Sequence, residues 1–162
     1  MSINNAGFRD LYRAYAGDIH RFACFLTGSA DAADDIVSET FLRAWAGRQN
    51  LRAATAKAYL LAIARNLARD RQRLARRWSD VTPPERAEEG QAETALELSQ
   101  TLEALAALPE GYREALALAA SGLAYEAIGR LLDLPLSTVK IRVHRARLML
   151  QSARDAAPRS QR

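Results

Sequence analysis

The sequence is poor in the residues that build disulfides, metal sites and β-sheets. Its single cysteine, Cys24, excludes an intramolecular disulfide and a cysteine-based zinc site, and it fits a reducing cytoplasm. Two histidines are too few for most metal sites, so we expect no metal and no cofactor. Valine and isoleucine together number ten, against 33 alanines and 22 leucines. This balance favours helix over strand, and we expect an all-α fold.

Long apolar runs are also absent. No segment approaches the roughly 20 apolar residues that a membrane span needs, and the N-terminus has neither the basic region nor the apolar core of a signal peptide. We therefore expect a cytoplasmic protein with no membrane insertion. We identify no phosphate-cradling glycine loop, no paired metal ligands and no Cys/His dyad, so we do not expect an enzyme.

The positive charge is concentrated in two blocks, although the net charge of the chain is only +4. Residues 51–78 carry eight basic groups and one acidic group, and residues 137–162 carry seven and one, whereas residues 79–108 carry one and seven. Arginine supplies 21 of the 23 basic residues, and it is the better bidentate partner for phosphates and guanine edges. The two blocks therefore favour a nucleic-acid partner over merely solvated faces.

The pattern of apolar residues and breakers predicts two small helical domains, over residues 6–78 and 94–152. Residues 79–93, with Pro83-Pro84, an acidic run and Gly90, are predicted to form a flexible linker, and residues 153–162 a frayed tail. Ser29 or Asp31 is suited to begin a helix that runs to about Trp45. Thr55 is a candidate N-cap for a longer helix that ends near Trp78.

Residues 124–150 have the pattern of a helix-turn-helix. The first helix spans residues 124–132, the turn spans 133–136, and Ser137 stands where the N-cap of the second helix belongs. Gly129 is the small residue needed where the two helices touch. Asp133 occupies the turn position that needs positive φ, which aspartate tolerates.

The second helix of this motif has one apolar stripe and a basic remainder. Val139, Val143, Ala146 and Leu150 fall within a narrow arc at 100° per residue. The basic residues Lys140, His144 and Arg145 point away from the stripe, and Arg142 and Arg147 flank it. This arrangement predicts a helix that reads the major groove, the alternative being an ordinary basic surface helix. Ile141 and Leu148 lie on the outer face, where they contact a thymine methyl group or a partner protein, or are simply exposed.

A second basic stripe is predicted on the helix that follows Thr55. Helical periodicity places four apolar residues on the core side: Tyr59, Ile63, Leu67 and Leu74. A line of polar and basic residues then lies on the opposite side, formed by Arg65, Arg69, Gln72 and Arg76, with Asn66 and Arg73 at its edge. Like charges four residues apart destabilise an isolated helix, so the stripe favours an anionic partner over a solvated face. The preceding loop, residues 48–52, is polar and basic with one apolar member, Leu51, which suits the capture of unstacked bases.

The helix over residues 31–45 has a different outer face. Ile36, Val37, Phe41 and Ala44 form its core side. The other side carries Asp35, Ser38, Glu39 and Leu42, which is acidic with one apolar member. Such a surface is poorly suited to nucleic acid, and it is either a protein-docking surface or a solvated acidic face.

Five segments together resemble a known family. Residues 34–45 (DDIVSETFLRAW) resemble region 2.2 of bacterial sigma factors of the extracytoplasmic-function (ECF) group, in the sigma-70 family, and residues 58–66 (AYLLAIARN) resemble the start of their promoter-melting helix. Residues 108–115 (LPEGYREA), 122–128 (GLAYEAI) and 137–147 (STVKIRVHRAR) resemble region 4. The resemblance covers about residues 8–150, in the expected order.

The resemblance implies two helical domains, sigma-2 and sigma-4, on a flexible tether, and a transcription initiation factor that directs core RNA polymerase to promoters. Its implied partners are the β′ clamp helices and β flap of the polymerase, promoter DNA and an anti-sigma factor. The residues that inherit polymerase docking are Asp35, Ser38, Glu39 and Leu42. Those that inherit recognition and melting of the −10 element are Arg48, Asn50, Leu51, Arg52, Arg65, Asn66, Arg69 and Arg73. Those that inherit recognition of the −35 element are Ser137, Thr138, Lys140, Arg142, His144, Arg145 and Arg147.

A stand-alone helix-turn-helix regulator is the alternative function. It accounts for residues 124–150 but leaves the 65–76 stripe and the acidic helix without a role. DNA binding by the isolated protein distinguishes the two, because a conventional repressor binds its site as a dimer without help.

Overall fold

The computed structural model describes residues 3–78 and 92–156, and it contains no strand within those ranges. The predicted linker over residues 79–91 and the last six residues of the predicted tail lie outside the described residues. The helices are α1 (Asn5–Thr27), α2 (Ala30–Ala46), α3 (Ala56–Arg77), α4 (Ala92–Ala107), α5 (Glu110–Ala120), α6 (Tyr125–Leu132) and α7 (Leu136–Ala156), with short 3-10 turns at Arg48–Asn50 and Ala53–Thr55. The all-α prediction is confirmed for this part of the chain.

The first three helices pack on one another around a shared core. α1 ends at Gly28, whose φ of 68° lets its N–H bond the carbonyl of Cys24. α2 begins immediately afterwards, and the Ser29 side chain accepts a hydrogen bond from the N–H of Ala32, which makes Ser29 the N-cap. Phe8 lies edge-on to both Phe41 and Trp45 and closes one end of the α1–α2 contact.

The core face of α3 differs from the predicted one. Its buried residues are Ala56, Leu60, Leu61, Ala64 and Ala68, whereas Tyr59 and Leu74 are exposed and Ile63 and Leu67 are half-buried. The prediction was wrong because residues 58–64 are almost all apolar. The apolar face of the helix is therefore wide, and the sequence does not show which part of it is buried. Packing against α1 and α2 selects that part. The side chain of Thr55 precedes α3 but makes no capping hydrogen bond.

The C-terminal helices form a second cluster in which Arg113 joins α4 to α5. Its Nε donates to the carbonyl of Leu105 at 3.0 Å, and its Nη2 donates to those of Ala106 and Leu108, both at 2.8 Å. These carbonyls lie at the end of α4, where intrahelical partners run out and a positive charge is favoured. The Arg113 side chain, which belongs to α5, therefore caps the C-terminal end of α4.

The helix-turn-helix forms as predicted, apart from the start of its second helix. Asp133 has φ 55° and ψ 51°, the left-handed conformation that ends α6. A Cβ on Gly129 would lie 2.8 Å from the carbonyl oxygen of Leu134, so only glycine fits this contact. α7 begins at Leu136, and the carbonyl of Pro135 accepts the first helical hydrogen bond, so Ser137 lies inside the first turn and is not the N-cap.

The two helical clusters pack against each other. α4 and α5 contact α1, and α6 contacts α3. Lys57, near the start of α3, lies beside Gly122, with its Nζ 3.4 Å from the position that a Cβ on that glycine would take. α4 begins at residue 92, within the range predicted as linker, and α7 ends at residue 156, within the range predicted as tail.

Candidate nucleic-acid interface

The outward face of α7 is basic and solvent-exposed. Val139, Val143 and Ala146 are buried, so the residues on the other side of the helix point away from the protein. Lys140, His144 and Arg145 are exposed there, with Ile141 and Leu148 at 49% and 53% exposure. Ser137 and Arg147 are exposed as well, and Thr138 is half-buried. This face presents hydrogen-bond donors and two apolar groups on one rigid helix.

Arg142 is held differently from its neighbours on α7. Its guanidinium lies over Gly111 at the start of α5, and a Cβ at residue 111 would be 2.7 Å from Nη1 of Arg142. The side chain is half-buried. Glycine at residue 111 therefore leaves the space that the Arg142 guanidinium occupies, beside the basic face.

The loop between α2 and α3 is anchored by two side chains. Leu51 is only 2% exposed and packs into the protein, so it does not project toward a ligand. Arg48 stacks on Trp45 with its guanidinium carbon 4.0 Å from the ring centroid, and its Nη1 donates to the Trp45 carbonyl at 2.9 Å. Gln49, Asn50 and Arg52 remain exposed in this loop. The loop presents three exposed polar side chains on a fixed backbone.

The basic stripe of α3 is divided between solvent and the second helical cluster. Asn66, Arg73 and Arg76 are exposed. Arg65 and Arg69 instead face α5: Nε of Arg65 lies 3.0 Å from Oε2 of Glu114. Gln72 is not part of the exposed stripe either, because its Nε2 donates to the carbonyl of Leu26 at the end of α1.

Sequence reasoning missed the two glutamates that face the stripe. The repulsion between like charges four residues apart predicted an anionic partner, and two of these arginines pair with glutamates of α5 in the same chain. Arg69 lies 3.0 Å from Glu114 and 3.1 Å from Glu110. No local pattern marks this pairing, because the partners lie 41 and 49 residues apart along the chain.

The acidic face of α2 forms one side of a groove of about 340 Å³. All four predicted docking residues line it, together with Ile36 and with two residues of α3. Of these two, Leu67 was predicted to lie on the core side of α3, and Arg71 was not assigned a role. Leu42, one of these lining residues, is 64% exposed. Asp35 pairs with Arg71 and Glu39 with Arg43, each at 3.0 Å, so the acidic charge is partly balanced within the chain. The groove is lined by both apolar and charged side chains.

A Cys/His pair is present on α1, contrary to the sequence prediction. Sγ of Cys24 lies 3.7 Å from Nδ1 of His20, one helical turn away, and Nε2 of His20 lies 3.0 Å from Asp34. Burial, and secondarily the Asp34 carboxylate, raise the pKa of the Cys24 thiol. A nucleophilic cysteine needs a lowered pKa, so this pair is not an activated dyad.

Within residues 3–78 and 92–156, no group of three or more histidine, cysteine, aspartate or glutamate side chains is placed to hold a metal ion. No helix there combines the length and the apolar character that crossing a membrane requires.

Comparison with known proteins matches both halves of the chain. Residues 11–78 match the family model of Sigma-70 region 2, and residues 98–150 match that of Sigma-70, region 4. The chain is 37% identical over 150 residues to the ECF RNA polymerase sigma factor EcfG of Rhodopseudomonas palustris, covering 89% of this chain and 83% of that protein. It is 34% identical over 152 residues to SigE of Mycolicibacterium smegmatis, covering 88% of this chain and 59% of that relative.

Solved structures give the same result. The sigma factor RpoE in complex with the anti-sigma factor NepR from Bartonella quintana has a TM-score of 0.76 and 29% identity, with 93% of this chain and 98% of that chain covered. CnrH in complex with the cytosolic domain of CnrY has a TM-score of 0.76 and 25% identity, with 96% and 92% covered. The chain belongs to the extracytoplasmic-function group of the sigma-70 family of RNA polymerase sigma factors.

Proposed function

We propose that this sigma factor divides promoter recognition between its two helical clusters, acting as two domains over residues 6–78 and 94–152. The observation that supports this division is the placement of separate surfaces on one chain. A basic recognition helix, α7, lies in the second cluster, and a basic helix with its adjoining loop, α3 and residues 48–52, lies in the first. The acidic groove on α2 is a third surface, suited to protein and not to DNA.

The outward face of α7 reads the duplex at the −35 element. Recognition helices place their N-terminal residues against base edges in the major groove. Lys140, His144 and Arg145 project from the exposed side of the first half of α7, so they are positioned for base contacts. Arg142, Arg147, Ser137 and Thr138 lie at the margins, where contacts to flanking phosphates are expected.

The loop and α3 act on the −10 element after the strands separate. Single strands are held by a basic track for the backbone and by surfaces for the bases. Arg48, Asn50 and Arg52 of the loop, with Asn66 and Arg73 of α3, are assigned to this track, together with Arg65 and Arg69 once they are free. Leu51 supports the loop from inside, because its side chain is buried.

The groove of α2 docks on core RNA polymerase. We assign Asp35, Ser38, Glu39 and Leu42 to the β′ clamp helices, which the family resemblance implies, and the second domain to the β flap. An exposed leucine surrounded by acidic groups fits a basic helical partner that also offers an apolar contact. The factor acts in the cytoplasm beside the polymerase and has no catalytic chemistry of its own. It is controlled by an anti-sigma factor, which the complex of the similar sigma factor RpoE with the anti-sigma factor NepR supports.

Transcription from a random promoter library tests this function directly. Core polymerase with the protein should enrich a set of promoters that share −10 and −35 elements, and core polymerase alone should not. A conventional helix-turn-helix regulator would instead bind a duplex site tightly without polymerase.

A charge reversal separates docking from DNA recognition. Glu39→Arg should weaken co-purification with core polymerase, and Asp10→Arg, which reverses an exposed charge on α1 outside the groove, should not. Equal co-purification of the wild type and the Glu39→Arg variant would remove the docking assignment.

A further inference from the structure

Four charged side chains join the two domains at one point. Glu114 of α5 uses both oxygens: Oε2 lies 3.0 Å from Nε of Arg65, and Oε1 lies 3.0 Å from Nε of Arg69. Glu110, one turn earlier on α5, lies 3.1 Å from Nε of Arg69. Two carboxylates spaced i, i+4 on one helix therefore face two arginines spaced i, i+4 on another.

This cluster is not an ordinary surface ion pair. The Arg65 side chain is 15% exposed and that of Glu114 is 6% exposed, whereas Arg69 and Glu110 form the wetter edge. The gap beside them, lined also by Leu26, Ala68 and Gln72, has a volume of about 10 Å³. That volume is at the lower limit for one water molecule, so little water can enter between Arg69 and the two glutamates on this side. Buried charges are costly without their partners, so Arg65 and Glu114 favour the closed arrangement.

The same arginines are chemically suited to a nucleic-acid backbone. The guanidinium fork binds a carboxylate and a phosphate with the same geometry. Arg65 and Arg69 belong to a stripe whose exposed members, Asn66, Arg73 and Arg76, continue along the same helix. A DNA strand that followed this stripe would reach Arg65 and Arg69 only after α5 had moved away.

We propose that Arg65 and Arg69 form one anion-binding site for which Glu110 and Glu114 compete with the phosphates of the melted DNA strand. The glutamates of the second domain occupy this site in the free protein, so the domain that reads the duplex also blocks strand capture by the first domain. This inference rests on the proposed role of α3 at the −10 element.

Linkage makes the competition reciprocal. Strand binding to Arg65 and Arg69 opens the contact with α5, and any partner that draws the second domain away raises the affinity of α3 for the strand by the same factor. The apparent affinity of the free protein for a single strand is reduced by the fraction of molecules that are open.

Single-strand binding by the full chain, without polymerase, tests the competition. The probe is a fluorescein-labelled 20-nucleotide single strand of mixed sequence at low salt, with binding followed by anisotropy. The Glu110→Gln/Glu114→Gln variant should bind at least about tenfold more tightly than the wild type, because its competitors are uncharged. The Glu126→Gln/Asp155→Asn variant makes the same change in net charge away from the site and should stay within about twofold of the wild type.

Two additional variants keep the result interpretable. Adding Arg65→Gln and Arg69→Gln to the Glu110→Gln/Glu114→Gln background should abolish the gain in affinity. The single change Glu110→Gln alters only the wetter edge, where folding is not at risk, and should give a smaller gain of about threefold. Small-angle X-ray scattering should show a larger radius of gyration for the double glutamate variant than for the wild type.

The outcomes separate this inference from the function on which it rests. Equal strand affinity in the wild type and the double glutamate variant, or an equal gain in the charge-matched control, would overturn the competition. If Arg69→Gln nevertheless reduces promoter opening by the holoenzyme, the −10 assignment stands without it. If Arg69→Gln leaves promoter opening unchanged, the −10 assignment itself is wrong.

Discussion

The hydroxyl of Tyr59 lies against Gly47, so closely that a Cβ on residue 47 would be 2.8 Å from the phenolic oxygen. Tyr59 lies in the first turn of α3, and Gly47 ends α2. The contact therefore closes the base of the loop that carries Asn50 and Arg52. Together with buried Leu51, it sets the position of the loop before any DNA is bound.

Gly47→Ala should disturb this loop through a steric clash alone, because the φ of Gly47 is −93°, which alanine adopts without strain. The expected loss in the free energy of unfolding is about 1 kcal/mol, with reduced promoter opening. Adding Tyr59→Phe removes the clashing oxygen, so the double variant should resemble Tyr59→Phe by itself in thermal unfolding and in permanganate footprinting. Strictly additive effects of the two changes would contradict the contact.

Arg113→Ala should destabilise the second domain by about 2 kcal/mol, because three carbonyls at the end of α4 lose a charged donor. Arg113→Lys should recover less than half of this loss, since an ammonium group cannot reproduce the guanidinium fork. Urea unfolding followed by circular dichroism measures both. An effect of Arg113→Ala below about 0.5 kcal/mol would show that solvent replaces these hydrogen bonds.

Thr40→Val should leave the protein as stable as the wild type or up to about 1 kcal/mol more stable. The Thr40 hydroxyl is fully buried and has no hydrogen-bond partner among the described residues, whereas its methyl group packs in the core. Thr40→Ser, which keeps the hydroxyl and removes the methyl, should lose about 1 kcal/mol. Thermal unfolding measures both changes, and the valine variant should melt at a higher temperature than the serine variant. A valine variant less stable than the wild type would indicate that the Thr40 hydroxyl is hydrogen-bonded.

The Cys24 thiol should react slowly with iodoacetamide near pH 8 in the folded protein. Burial and the Asp34 carboxylate raise its pKa, so the thiol stays protonated where an exposed cysteine is partly thiolate. Because the folded pKa is the higher one, the stabilisation it contributes is complete below the ordinary thiol pKa and is lost as the pH rises through the folded value. Urea should restore rapid alkylation, and equal rates with and without urea would contradict the raised pKa.

Local chemistry made part of the fold predictable. Ser29 was identified as a possible N-cap, Asp133 as a positive-φ turn residue and Gly129 as a helix contact, because each depends on neighbours within a few residues. The buried seam of α7 followed from helical periodicity alone. These features needed no knowledge of distant packing.

Features that depend on tertiary packing were not predictable in the same way. The core face of α3 was misplaced because its apolar arc is wide, and α1 and α2 decide which part of it is buried. The pairing of Arg65 and Arg69 with Glu114 and Glu110 joins distant segments, so the stripe looked fully open in the sequence. Leu67 and Arg71 were not assigned to the groove for the same reason, since the groove exists only where α2 meets α3.

The most direct test of the account compares promoter opening on duplex and pre-melted templates, read by permanganate reactivity of thymines near the start site. Arg145→Ala should cost about 1–3 kcal/mol of duplex binding and should not be rescued by the pre-melted template. Asn66→Ala and Arg69→Ala should spare closed-complex binding, reduce opening on the duplex and recover on the pre-melted template. Rescue of both classes to the same extent, or of neither, would contradict the assignment of duplex reading and strand opening to separate domains.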